Sequence, residues 1–81
     1  MKIEILPSAS EELAKLPRDT LEIVDEQILK LANNPHPPEA KVLSTIDGLW
    51  YLSNQDYRII YQIDEVGDRI LIVKSVPMVD P

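Results

Sequence analysis

The run Asp56-Tyr57-Arg58-Ile59-Ile60-Tyr61-Gln62-Ile63 constrains the fold more than any other part of the chain. Its β-branched and aromatic residues favour a pleated backbone, and Arg58 is the only charge within the run after Asp56. Strand side chains alternate, so Tyr57, Ile59, Tyr61 and Ile63 share one face while Arg58, Ile60 and Gln62 share the other. The first face is wholly apolar or aromatic and belongs to a core. The second sets one guanidinium beside apolar surface, as on a central strand whose outer face is only partly covered. Arg58 is therefore the leading candidate for function.

With 81 residues the chain forms a single domain, 1–81, and a domain this small buries only about 60% of its unfolded surface. It has no cysteine, which removes disulfides, thiolate metal sites and thiol nucleophiles from consideration. The start of the chain does not resemble a signal peptide, and no apolar run approaches the roughly 18 residues of a membrane span. A soluble cytoplasmic protein with no membrane contact is expected. Its 14 acidic and 8 basic residues give a formal net charge of -6, and no Lys/Arg cluster stands out in the sequence. That balance counts against tight binding to RNA or DNA, which needs a basic patch.

Lys2 to Leu6 alternates and stops at Pro7, as a short strand does. Ser8 and Glu11 have the spacing of a capping box, which predicts a helix from about Ala9 to Leu16. Pro17 suits the first turn of a second helix, from about Arg18 to Ala32. Leu21, Val24, Ile28 and Leu31 give this helix an apolar stripe. Asp19, Glu22, Asp25 and Glu26 read as its solvated face, because no histidine stands at metal or acid–base spacing from them. Ile23 and Leu29 fall off the stripe and are candidates for contact with a partner.

From Asn33 to Gly48, Pro35, Pro37 and Pro38 predict an extended connection with little regular structure, and His36 within it reads as a surface residue. Three strand runs follow, at 49–54, 56–64 and 68–76, separated by turn-like segments. Trp50 and Tyr51 fall on opposite faces of the first of these, so one covers core and the other is free to meet a target or partner. The expected class is α+β: a helical hairpin on one face of a small antiparallel sheet, in the order β-α-α-β-β-β. The position of the first strand in the sheet is left open.

The hairpin beginning at Leu16-Pro17, the Asp56-Tyr57-Arg58-Ile59-Ile60-Tyr61 run and the apolar strand after it resemble the RelE/ParE superfamily of toxins from type II, plasmid-stabilisation-type toxin–antitoxin systems. The likeness covers nearly the whole chain. It implies that the helices cover one sheet face while the other meets the target, and that an antitoxin is the cognate partner. RelE-like members cleave messenger RNA on the ribosome and so inhibit translation, whereas ParE-like members inhibit DNA gyrase. Neither implies a metal or small-molecule cofactor. Arg58 matches the arginine of this strand and is the catalytic candidate, since RNA cleavage needs cations around the reacting phosphate.

Where RelE-like enzymes carry further cations on the preceding strand, this chain has Leu49, Tyr51 and Ser53; after the last strand it has Pro77-Met78-Val79-Asp80-Pro81. Two functions from different classes follow: an active toxin, or a catalytically silent protein-binding module of the same fold. The net acidity also predicts that the cognate partner binds mainly through apolar contact with Ile23 or Leu29, Trp50 or Tyr51 and a free strand edge. Its own Lys and Arg residues should meet Asp19, Glu22, Asp25 and Glu26.

Overall fold

The alternation in the 57–63 run is realised residue by residue. In the computed structural model, which describes residues 1–53 and 57–77, Tyr57, Ile59 and Tyr61 are buried, whereas Arg58, Ile60 and Gln62 are half-covered on the opposite face. The elements are β1 (Lys2–Ile5), α1 (Pro7–Ala14), α2 (Arg18–Asn33), β2 (Lys41–Ser44), β3 (Leu49–Ser53), β4 (Tyr57–Asp64) and β5 (Arg69–Pro77). The sheet order is β1-β5-β4-β3-β2, which places the patterned strand β4 at its centre. Both helices lie on one face. Ala9 and Leu13 of α1 and Val24, Ile28 and Leu31 of α2 form one core with Leu52, Tyr57, Ile59, Tyr61, Ile70 and Ile72. Leu21, the remaining member of the predicted stripe, packs against that core half-buried.

The α+β class holds, with two additions. First, β1 joins the sheet beside β5 and runs parallel to it, Ile3 opposite Ile70 and Ile5 opposite Ile72, so the sheet is mixed. A parallel neighbour needs a long connection, and the helical hairpin begins one. Second, the segment expected to be irregular up to Gly48 contains the edge strand β2, making the order β-α-α-β-β-β-β. The prolines restrain the backbone only as far as Pro38, and Val42 then pairs opposite Trp50. Four residues between a proline cluster and a turn are too few to reveal a period of two.

Helix starts also differ from expectation. α1 begins at Pro7, whose missing N–H costs nothing in a first turn, and its N-cap is Leu6 with no side-chain cap. Ser8 is thus inside the helix, and instead of capping it donates from Oγ to the Val73 carbonyl of β5 at 3.2 Å. Pro17 is the residue just before α2, one position earlier than expected.

A bulge in β5 sets which side chains reach each face. Ile60 lies opposite Lys74 and Tyr61 opposite Ile72, leaving Val73 as the extra residue. The parity of β5 therefore changes there. Ile70 and Ile72 point into the core, but beyond the bulge it is Ser75 that is buried, opposite Ile59, while Lys74 goes to the outer face. The turn from β4 to β5 is closed by Asp68 in the left-handed region (φ 52°), and that from β2 to β3 by Gly48 (φ 66°). The predicted turn Asn54-Gln55-Asp56 and the final residues Met78 to Pro81 lie outside the described residues.

Candidate functional site

Arg58 sits on the sheet face that the helices leave open, across from Ser53 of β3 and Val76 of β5. Its guanidinium carbon stands 4.8 Å from the centre of the Tyr51 ring. Its Nε is shielded from solvent and has no acceptor among the described residues. The carboxylates that could pair with it are Asp56, Asp64 and those of α2, and two of these three sources are engaged or remote. Asp64 accepts from Arg69 Nε at 2.8 Å, and this bond, with that from the Gly67 N–H, holds its carboxyl below the usual carboxylate range. The α2 carboxylates belong to a helix on the other side of the sheet. The third, Asp56, lies outside the described residues. Among the described residues Arg58 makes no ion pair.

Strand register brings two further cations to this face, neither apparent from the sequence. Lys41, Tyr51, Ile60 and Lys74 face one another in a row across β2, β3, β4 and β5. The adjacent row is Ser53, Arg58 and Val76. With strands about 4.8 Å apart, the backbones of Lys41 and Lys74 are about 14 Å apart, and Arg58 lies about 7 Å along the strands from their row. Among the described residues no carboxylate occupies either row. Those on this face lie toward its other end, where Arg69 bridges Asp64 and Glu4. A protein of net charge -6 thus presents a locally cationic surface. Lys41 belongs to a strand too short to show alternation after the proline cluster, and the orientation of Lys74 depends on the bulge.

The remaining candidates separate. Trp50 faces the helices, packs against the core and meets the His36 ring edge-on, with centroids 4.7 Å apart and planes at 75°. Tyr51 is the aromatic residue on the open face. Ile23 and Leu29 are exposed by 46% and 66%, and at 3.6 residues per turn they project about 120° apart. They flank the acidic outward side of α2, one on each side, and do not form a single patch. Val42, Leu43 and Ile46 add exposed apolar surface at the β2 edge.

A cleft of about 380 Å³ lies on the helix side between Lys30, Leu31, Pro37, Glu39 and Leu52. Its lining does not include Arg58. Among the described residues no group of three or more His, Cys, Asp or Glu is arranged to hold a metal ion. No helix there is long and apolar enough to cross a membrane. Chemically, the open face can bind and stabilise negative charge, and its two central rows offer no histidine or carboxylate to move a proton.

Comparison with known proteins points to one group. The family profile described as ParE toxin of type II toxin-antitoxin system, parDE, matches residues 3–76. No curated protein sequence matches. Among solved structures, the archaeal RelE-RelB complex from Pyrococcus horikoshii OT3 is 25% identical, with a TM-score of 0.84 over 99% of this chain and 97% of that one. The toxin-antitoxin complex RelBE2 from Mycobacterium tuberculosis shares 23% identity and a TM-score of 0.79, covering 94% and 95% of the two chains. The isolated RelE toxin of E. coli is 15% identical with a TM-score of 0.84, covering 99% and 86%. The last two likenesses are of fold.

Proposed function

The chain belongs to the ParE toxin family of type II toxin–antitoxin systems, and from that membership we propose that it arrests growth by engaging messenger RNA at the ribosome in the cytoplasm. The observation that carries this reading is the cationic open face: Arg58, Lys41 and Lys74 on two adjacent rows that hold no carboxylate. A gyrase inhibitor needs a protein-binding surface, whereas cations around one aromatic ring suit a phosphate backbone. Cleavage by an adjacent 2′-hydroxyl places extra negative charge on the phosphorus oxygens. Arg58 would pair with those oxygens in a bidentate manner, and the two lysines would act as point charges on neighbouring phosphates. The partner that holds the protein inactive is a cognate antitoxin.

One observation favours the second reading, a binding module without catalysis: the two rows contain no histidine or carboxylate, the commonest groups for proton transfer. Induced expression separates the readings. Arrest of growth and of amino-acid incorporation, relieved by co-expressing the neighbouring gene's product and lost in Arg58→Ala, is the expected result. A block in DNA supercoiling with translation intact would identify gyrase as the target instead. Growth unaffected by the folded protein would support the silent module.

A further inference from the structure

The ring beneath Arg58 suggests a more specific role. Tyr51 stands in the middle of the open face, with Lys41 across from it on β2 and Ile60 across from it on β4. Arg58 lies diagonally beside it, its guanidinium carbon 4.8 Å from the ring centre. That guanidinium has an Nε without an acceptor and no carboxylate partner among the described residues, and it rests over the ring face. A planar cation in this state has much to gain from an anion that accepts two hydrogen bonds at once. A ring with Arg58 over it, Lys41 across from it and Lys74 two strands away has the composition of a platform for single-stranded nucleic acid, where bases stack on aromatic faces and phosphates take the charges.

We propose that Tyr51 is a base-stacking, positioning residue: a single-stranded ribonucleotide gives its phosphate to Arg58, and the ring face that Arg58 vacates receives the base. This rests on the RNA reading above and adds to it a residue and a preference. The larger π-surface of a purine stacks better than that of a pyrimidine, so adenine-rich strands should be favoured over uracil-rich ones. A protein partner fits this surface less well, because the row offers it one aliphatic side chain, Ile60, between two lysines.

The test is fluorescence anisotropy at low salt with end-labelled ribo-oligonucleotide octamers, oligo(A) and oligo(U). The proteins compared are the natural chain, Tyr51→Phe, Tyr51→Leu and, as a control at the far end of the open face, Lys2→Ala. The natural chain, Tyr51→Phe and Lys2→Ala should bind oligo(A) more tightly than oligo(U). Tyr51→Leu should bind oligo(A) more weakly by on the order of tenfold and lose the preference. If Tyr51→Leu does not fold, Tyr51→Ile, which favours a strand, takes its place. Binding by Tyr51→Leu equal to that of the natural chain would overturn the proposal and leave a site for phosphate alone. Failure of the natural chain to bind either octamer would also overturn it. Translation arrest together with octamer binding indifferent to Tyr51 defeats this inference and leaves the RNA reading standing. Tyr51-dependent binding without growth arrest does the reverse.

Discussion

The Tyr61 hydroxyl donates to the Pro35 carbonyl at 2.9 Å, fastening the proline-rich connection after α2 to the buried centre of β4. The connection carries the Pro37–Glu39 wall of the large cleft and His36, whose ring meets Trp50. One hydrogen bond thus couples the core strand to the segment that leads into β2. Tyr61→Phe keeps the ring and removes the donor. It should lower stability by about 1 kcal/mol, the usual net worth of such a bond. Amide hydrogen exchange in residues 34–40 should quicken more than in β4, and equal change in both would show that the bond does not hold the connection in place.

The same phenol predicts alkaline sensitivity. Burial, reinforced by the nearby Glu39 carboxylate, pushes the Tyr61 hydroxyl up to about 12 from the ordinary 10.0. The native state therefore keeps a proton that the unfolded chain gives up near pH 10. Stability from this group is fully present below pH 10 and is lost as pH rises toward 12. Urea midpoints measured between pH 9 and 11.5 should fall for the natural chain and fall less for Tyr61→Phe. Parallel decline in both proteins would place the alkaline transition elsewhere.

Much of the fold was legible because its signals are local. Tyr57, Ile59 and Tyr61 at a period of two, and Val24, Ile28 and Leu31 at three to four, each mark a buried face without reference to the rest of the chain. What was not legible depends on pairing between distant segments. The place of β1 is fixed by the register of Ile3 against Ile70, and β2 by Val42 against Trp50. The outward direction of Lys74 follows from a bulge that no residue type announces. Arg58 stood out because its own strand is strongly patterned. Lys41 and Lys74 did not, because only strand register brings them to its face.

Ser75 shows the cost of that bulge. It is fully buried opposite Ile59, and its Oγ has no hydrogen-bond partner among the described residues. A hydroxyl taken out of water without a new partner is destabilising, and deleting it leaves the methyl group that the core already accommodates. Ser75→Ala should raise stability by about 1 kcal/mol, read as a higher urea midpoint at unchanged slope. A lower midpoint would show that the hydroxyl is bonded in solution.

The two faces of the molecule differ in sign, and this bears on how a partner finds it. Asp25 and Glu26 are exposed on the outward side of α2, while Glu22 is partly offset by Arg18 at 3.8 Å. Lys41, Arg58 and Lys74 lie on the far side of the sheet. A partner that docks on α2 between Ile23 and Leu29 meets carboxylates and should bring its own Lys and Arg residues. One that covers the open face should bring Asp and Glu. Both would associate more slowly as salt rises, since screening weakens either attraction, so the salt slope alone does not discriminate. The charge that carries it does. For the cognate antitoxin, docking on α2 predicts that Asp25→Asn with Glu26→Gln flattens the dependence of association rate on salt, while Lys41→Ala with Lys74→Ala leaves it steep. The opposite pattern would place the antitoxin over Arg58 and Tyr51, where it would inhibit by direct occlusion of the target face.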